Sequence, residues 1–305
     1  MIDMKGKNLV SVHDLSREEV DQIFKTAEYL KMKKKTGEKC EILKDKTLAM
    51  IFEKPSLRTR VTFETGMTQL GGHAIYLAPT DIQMGKREPV YDVARNLSRW
   101  VDGIMIRTFS NDIVVELAEE SKVPVINALS DLLHPCQSLT DLFTVYEKKR
   151  VLEGLKLAYV GDGNNVCHSL MFTCAKLDVK MSIACPDGYE PSKEIEKLAK
   201  EDGLELMITE NPEKAVKEAD VIYTDVWTSM GQESEKEKRL DIFRNYQVNM
   251  DLVRKAKSDV IVMHCLPAHY DEEITKEVIE SKYSVVYDEA ENRLHVQKAV
   301  MALTM

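Results

Sequence analysis

The feature that most constrains this chain is a beat running through nearly all of it, in which short apolar segments alternate with segments of helix length. In the first half the apolar segments are 47–52, 73–77, 103–107 and 123–128. In the second they are 155–160, 181–185, 204–208, 221–223, 260–264 and 284–287. Strands buried on both faces read as continuous apolar runs, and strands joined through helices lie parallel. The expectation is an α/β chain with two mostly parallel sheets flanked by helices. A length of 305 residues allows two domains. The charged run Glu147-Lys148-Lys149-Arg150 ahead of Gly154 marks the boundary, although it also reads as the solvated last turn of the helix that passes Leu139. Near the start, Ser16 and Glu19 fit a capping box, opening a helix that runs to about Lys35 and stops at Gly37.

Composition narrows the function classes. A net charge of −9 weighs against a broad nucleic-acid surface, which needs a basic face. No apolar run approaches the roughly 18 residues of a membrane span, and the first 20 residues lack the apolar core of a signal peptide. The expected location is the cytoplasm, with neither a membrane nor a nucleic acid as partner. Cys40, Cys136, Cys167, Cys174, Cys185 and Cys265 show no C-x-x-C spacing, so no zinc or disulfide framework is expected.

Ligands of open parallel sheets sit beyond the carboxyl ends of strands, and polar residues repeatedly follow the strand candidates here. After 47–52 comes Pro55-Ser56-Leu57-Arg58-Thr59-Arg60, a turn into a helix whose apolar face is Phe63, Met67 and Leu70. A helix N-terminus with the hydroxyls of Ser56 and Thr59 and the fork of Arg58 suits a phosphate. The same letters also describe an ordinary cap with solvated arginines. Arg60 reads as structural, since alternate side chains cannot all face one ligand. Arg107 closes an apolar strand, a position open to either a ligand contact or a surface charge. His134-Pro135-Cys136-Gln137 precedes a helix. His134 suits donation to a developing oxyanion and Gln137 suits an amide-like NH2, beside the plainer reading of a capping turn.

In the second half, Gly161-Asp162-Gly163-Asn164-Asn165-Val166 follows a strand. The dinucleotide pattern G-x-G-x-x-G fails at Val166, and Asn165 suits a carboxylate instead. Asp225-Val226-Trp227-Thr228-Ser229-Met230-Gly231 suits an amino-acid headgroup, with Asp225 for an ammonium and Ser229 for a carboxylate. By composition alone it is a solvent-exposed loop. Cys265, in His264-Cys265-Leu266-Pro267, is open to burial, nucleophilic attack or polar contact with an amine. His264 and Cys265 make no dyad, since neighbouring strand residues point to opposite faces. Arg293 precedes the final helix as a further anion contact or a helix-start charge.

Taken in order, S-x-R-T-R, R-T, H-P-C-Q, G-D-G-N-N, D-x-W-x-S-M-G, H-C-L-P and E-N-R span nearly the whole chain. The set resembles the aspartate/ornithine carbamoyltransferase superfamily, and within it the members that use ornithine. The resemblance implies a carbamoyl-phosphate domain over 1–147, joined by a returning C-terminal helix of about 290–305, and an ornithine domain over 148–289. It implies transfer of a carbamoyl group from carbamoyl phosphate to the δ-amine of L-ornithine, giving L-citrulline and phosphate, without cofactor or metal. It also implies a homotrimer or a multiple of trimers with shared active sites. Ser56, Leu57, Arg58, Thr59, Arg107, His134, Gln137 and Arg293 would hold carbamoyl phosphate, with Gln83 reaching a neighbouring subunit's site. Asn165, Asp225, Ser229 and Met230 would hold ornithine, with Cys265 and Leu266 beside the reacting amine. Arg58, Thr59, Arg107, His134 and Cys265 would be the catalytic set. Leu57 stands where the family commonly has threonine, a form shared with relatives acting on acylated ornithine, and Tyr270 stands where many have arginine. Putrescine or N-acylornithine as acceptor is the near alternative. A nicotinamide-dependent dehydrogenase or a non-catalytic binding homologue is the distant one.

Overall fold

The computed structural model describes residues 2–85, 87–228, 231 and 233–305, with Glu233 by its backbone alone. The chain forms two compact units, one made of Met1–Phe143 with Glu291–Met305, the other of Thr144–Ala290.

Unit 1 holds a sheet of β1 (Thr47–Phe52), β2 (His73–Leu77), β3 (Gly103–Arg107) and β4 (Val125–Leu129) in the order β2-β1-β3-β4, all parallel. β3 and β4 are buried at every residue, which is why each reads as an unbroken apolar run. The first helix, α1 (Arg17–Thr36), opens on the expected capping box: Ser16 Oγ accepts from the Glu19 N–H at 3.3 Å, and Glu19 Oε2 accepts from the Ser16 N–H at 2.8 Å. It ends at Gly37. The second, α2 (Leu57–Gln69), follows β1 directly and buries Phe63, Met67 and, just past its end, Leu70. α3 (Pro79–Ile82), α4 (Val90–Leu97), α5 (Asn111–Glu120) and α6 (Pro135–Lys149) complete the connections. The chain passes into unit 2 within α6.

Unit 2 holds β5 (Lys156–Val160), β6 (Lys180–Ala184), β7 (Leu206–Thr209), β8 (Val221–Tyr223) and β9 (Ile261–Met263) in the order β7-β6-β5-β8-β9, again all parallel. Between them run α7 (Asn165–Lys176), α8 (Lys193–Glu201), α9 (Pro212–Val216), α10 (Lys236–Phe243) and α11 (Met250–Val253). α12 (Lys276–Ile279) precedes the final helix, α13 (Val286–Thr304), within which the chain returns to unit 1. No helix among the described residues is long and apolar enough to cross a membrane.

The two-sheet parallel α/β architecture matches the expectation, and several strands fall on the expected residues. One segment does not. The stretch 284–287 is no strand: Ser284 makes a lone bridge to Val262, and α13 has begun by Val286. Arg293 therefore sits inside the final helix and not ahead of it.

Each sheet has one place where chain order reverses, between β1 and β3 in unit 1 and between β5 and β8 in unit 2. Loops leaving such a pair diverge to opposite faces and leave room for a ligand at the carboxyl ends. Gly163 shows how tightly the loop after β5 is built. A Cβ there would lie 2.3 Å from Pro191 N and 2.5 Å from the Glu190 carbonyl carbon, both rigid backbone atoms. The second glycine of G-D-G is thus required by close backbone approach. Gly163→Ala is expected to destabilise the protein by about 1–3 kcal/mol, read as a lowered midpoint in thermal unfolding; an unchanged midpoint would show that the loop has slack.

Candidate active site

In unit 1 the expected residues other than Gln83 gather at the β1/β3 switch. Ser56 caps α2, its Oγ accepting from the Thr59 N–H at 3.2 Å. This presents the first-turn amides and the positive end of the helix beyond β1. Leu57, the first residue of the helix, is 75% exposed. Arg60 turns elsewhere: its Nε donates to Glu64 at 3.0 Å and its guanidinium lies 3.8 Å from the Tyr76 ring centroid.

Arg107 ends β3 and is buried. The register of β3 against β4 slips here: Ile106 pairs with Asn127 but Arg107 with Leu129, leaving Ala128 as an extra residue. Such a bulge re-aims the neighbouring side chains at a strand end. The loops after β1 and β3 are laced together. The Glu53 N–H donates to the Arg107 carbonyl at 2.8 Å, Thr108 Oγ1 donates to Glu53, and Lys54 pairs with Asp131 while lying over the Phe109 ring.

Arg293, only 2% exposed, reaches this place from the final helix. It donates from Nη1 to Gln137 Oε1 and from Nη2 to Thr59 Oγ1 at 3.4 Å. Gln137 in turn donates from Nε2 to Asp141 Oδ1 at 2.7 Å, so its amide orientation is fixed from both ends. His134 is buried beside these groups. Burial first, and then the charges of Arg293, Arg107 and Arg58, hold its pKa well below the ordinary imidazole value. It is a neutral imidazole at pH 7, able to donate one N–H. Burial pushes the neighbouring Cys136 thiol up to about 12, which makes it inert. Gln83 stands apart, exposed and in a left-handed conformation at the end of α3 (φ +51°).

In unit 2 the loops after β5, β8 and β9 meet. Asn164 is the hub, a residue sequence reasoning passed over in favour of its neighbour. Its Oδ1 caps α7 by accepting from the Val166 and Cys167 N–H groups at 3.0 and 3.1 Å, while its Nδ2 donates to Asp225 Oδ2 at 2.8 Å. The preference for asparagine just ahead of a helix was the available signal. Asp225 thereby faces Cys265, whose Sγ lies 3.1 Å from Oδ1. His264 looks the other way, with Nε2 3.0 Å from Glu273 Oε1 and Nδ1 accepting from the Leu266 N–H at 2.8 Å. Leu266 holds φ at +57°, and its peptide bond to Pro267 is cis. Asn165 begins α7 and is half-buried. Ser229 and Met230 lie outside the described residues.

Among its described residues, the loop after β8 is exposed at Gly231 but not at its start, contrary to the expectation from composition. Asp225 and Trp227 are buried, Trp227 stacking on Phe243 at 5.7 Å between centroids. Arg239, which closes the charged stretch 232–239, is buried as well. It donates to Asp162 Oδ2 at 2.9 Å and to the Trp227 carbonyl at 2.8 Å, and its guanidinium lies 4.9 Å from the Tyr189 ring centroid. No local pattern announces this, because its partner is 77 positions away.

Buried arginines around a neutral histidine on one parallel α/β unit, and an acid–amide–thiol cluster on another, suit an enzyme of the group-transfer class. The comparisons agree. Residues 7–147 match the aspartate/ornithine carbamoyltransferase carbamoyl-P binding domain, and 153–304 match the Asp/Orn binding domain of the same proteins. The chain belongs to the aspartate/ornithine carbamoyltransferase family. It is 53% identical to the ornithine carbamoyltransferase of Pyrococcus horikoshii, covering 100% of this chain and 98% of that one. It is 52% identical to the anabolic ornithine carbamoyltransferase of Pyrococcus furiosus over the same shares. The solved P. furiosus structure superposes with a TM-score of 0.97 at 52% identity, covering 100% of this chain and 99% of that one. The Thermus thermophilus ornithine carbamoyltransferase does so at 0.89 and 44%, covering 98% and 99%.

Burial raises the Asp162 pKa to about 6, against the opposing pull of Arg239. Between about pH 4, where the unfolded carboxyl titrates, and pH 6, the folded chain holds this proton more tightly than the unfolded one. The group's contribution to stability is thus full below that window and is lost as pH rises through it. Comparing unfolding midpoints from pH 4 to 7, Asp162→Asn is expected to remove a downward component present in the parent; identical pH profiles would contradict this.

Proposed function

We propose that the chain catalyses direct carbamoyl transfer from carbamoyl phosphate to the δ-amine of L-ornithine, giving L-citrulline and phosphate. The observation that carries this reading is the buried Thr59–Arg293–Gln137 network with neutral His134 among three arginines, in which every member except Arg293 lies within the residues that match a carbamoyl-P binding domain. Gathered cations in a low-dielectric setting favour an anion, and the fixed Gln137 amide offers its carbonyl side to an NH2.

In this scheme Ser56, Leu57 and Arg58 take the phosphate at the start of α2. Thr59, Arg107 and His134 face the carbonyl oxygen. Arg293 and Gln137 fix the orientation of the carbamoyl group. On unit 2, Asp225 receives the α-ammonium and Asn165, Ser229 and Met230 the α-carboxylate, with Cys265 and Leu266 beside the δ-amine. The neutral amine attacks the carbonyl carbon and a tetrahedral intermediate forms. Its oxyanion is stabilised by donors already in place, and the C–O bond to phosphate breaks as the attacking nitrogen, positively charged in the intermediate, gives up one proton to the departing phosphate. The scheme requires neither metal nor organic cofactor.

The anabolic name of the P. furiosus relative supports a biosynthetic direction, toward arginine, and the water-soluble substrates fit a cytoplasmic setting. A homotrimer or a multiple of trimers fits the exposed, left-handed Gln83, which would then serve a neighbouring subunit's site.

Carbamoylated product from carbamoyl phosphate, with ornithine, putrescine, N-acetylornithine and aspartate offered in parallel, is expected with ornithine far ahead; preference for another amine would overturn the acceptor assignment. His134→Asn should lower kcat by about 10²–10³, as loss of one oxyanion donor does, and a loss confined to KM would remove His134 from the chemistry. With chemistry rate-limiting, the parent rate should climb from neutral to alkaline pH as the amine loses its proton. A flat profile would contradict attack by the free amine.

A further inference from the structure

Beyond the loops already described, unit 2 carries a second gathering of ligand atoms, just after His264–Pro267. His269 Nδ1 lies 3.5 Å from Glu272 Oε2 and 3.9 Å from Glu273 Oε2, and one donor atom from each of the three residues lies within 4.8 Å of the others. Glu273 is fully buried. Its Oε1 is engaged, accepting from the His269 backbone N–H at 2.6 Å and lying 3.0 Å from His264 Nε2. Its Oε2 is buried and accepts no hydrogen bond, and the buried His269 Nδ1 makes none either. A carboxylate oxygen left this way is desolvated without compensation.

The separations are too long for hydrogen bonds, which bring N and O to about 2.7–3.2 Å. They approach the spacing of atoms that share an ion: donors about 2.1 Å from a tetrahedral centre stand roughly 3.4 Å from each other. We propose that His269, Glu272 and Glu273 form a binding site for a divalent transition-metal ion of the zinc type, with water as the fourth ligand. One imidazole and two carboxylates suit such an ion better than magnesium or calcium, which favour all-oxygen sets. Lys236 holds Glu272 by Oε1 at 2.9 Å and leaves Oε2 to the site. Gln247 fixes the backbone from behind, donating to the Asp271 and Glu272 carbonyls at 2.8 and 3.1 Å. The His269 and Glu272 side chains are 40% and 25% exposed, so the cluster lies near the surface although the facing Nδ1 and Glu273 Oε2 atoms are themselves covered.

The ion would bear on the loop of Cys265 and Leu266 through one chain of contacts. Glu273 holds His264, and His264 Nδ1 accepts from the Leu266 N–H. Occupancy stiffens that loop and takes no part in the transfer chemistry. A second group, Asp225, His264 and Cys265, also brings ligand atoms within 4.8 Å of one another, and the test has to separate the two.

The full chain carrying Cys265→Ser, stripped with chelator, is titrated with Zn2+ by calorimetry. His269→Ala and Glu272→Gln are then tested in that background. Neither side chain belongs to a core, and the metal-free unfolding midpoint checks that each variant folds. One equivalent should bind the Cys265→Ser chain and raise its midpoint. Each further substitution should weaken binding by about tenfold or more, since even residues that only orient a ligand cost that much, and should abolish the rise. Loss of zinc binding in Cys265→Ser itself, unchanged binding in both His269→Ala and Glu272→Gln, or no binding at all would overturn the site.

Discussion

A parallel sheet sends every strand's carboxyl end to the same edge, and where strand order reverses the loops part and leave a gap. Both sheets of this chain have such a point, at β1/β3 and at β5/β8. The residues with chemistry to offer follow those strands: Ser56–Thr59 and Arg107 in unit 1, Asn164, Asn165 and Asp225 in unit 2. The apolar strands behind them are buried on both faces, so the loops are mounted on a rigid base. The close packing around Gly163 in unit 2 and the lacing of Glu53, Thr108 and Lys54 in unit 1 extend that rigidity to the loops of each unit.

Within unit 1 the electrostatic problem is to keep arginines buried near a histidine that must stay neutral. Burial and the three guanidinium charges act in the same direction on His134, disfavouring its proton. The result is a donor that adds no further positive charge to the cradle and whose state is constant across the physiological range. Arg293 arrives from the far end of the sequence and fixes Gln137 and Thr59 at once, so the final helix is part of the site as well as of the fold. Unit 2 solves a different problem. Its acid, Asp225, is oriented by an amide and faces a thiol, a polar but moderate setting suited to an amine.

Much of the fold was legible because buried strands carry their own signal. The segments 47–52, 73–77, 103–107 and 221–223 are strands over those very residues. The stretch 284–287 misled because a short apolar run before a helix looks like a strand; only Ser284 touches the sheet, by a single bridge to Val262. The polar loops could be located from sequence, since they follow strands, but not their internal wiring. Asn164 and Asn165 are neighbours, and only the three-dimensional turn shows the first capping α7 while holding Asp225. The burial of Arg239 is not legible from the charged stretch 232–239 that it closes, because it depends on Asp162, Trp227 and Tyr189, brought near by folding.

The central claim is that carbamoyl phosphate is held at the carboxyl ends of β1 and β3 by the start of α2 and the buried arginines. The most direct measurement is amide hydrogen exchange with and without carbamoyl phosphate, with no amine present. With carbamoyl phosphate bound, exchange should slow most over residues 56–60, 107–108 and 134–138. Protection absent there, or confined to 161–166 and 224–228, would contradict it.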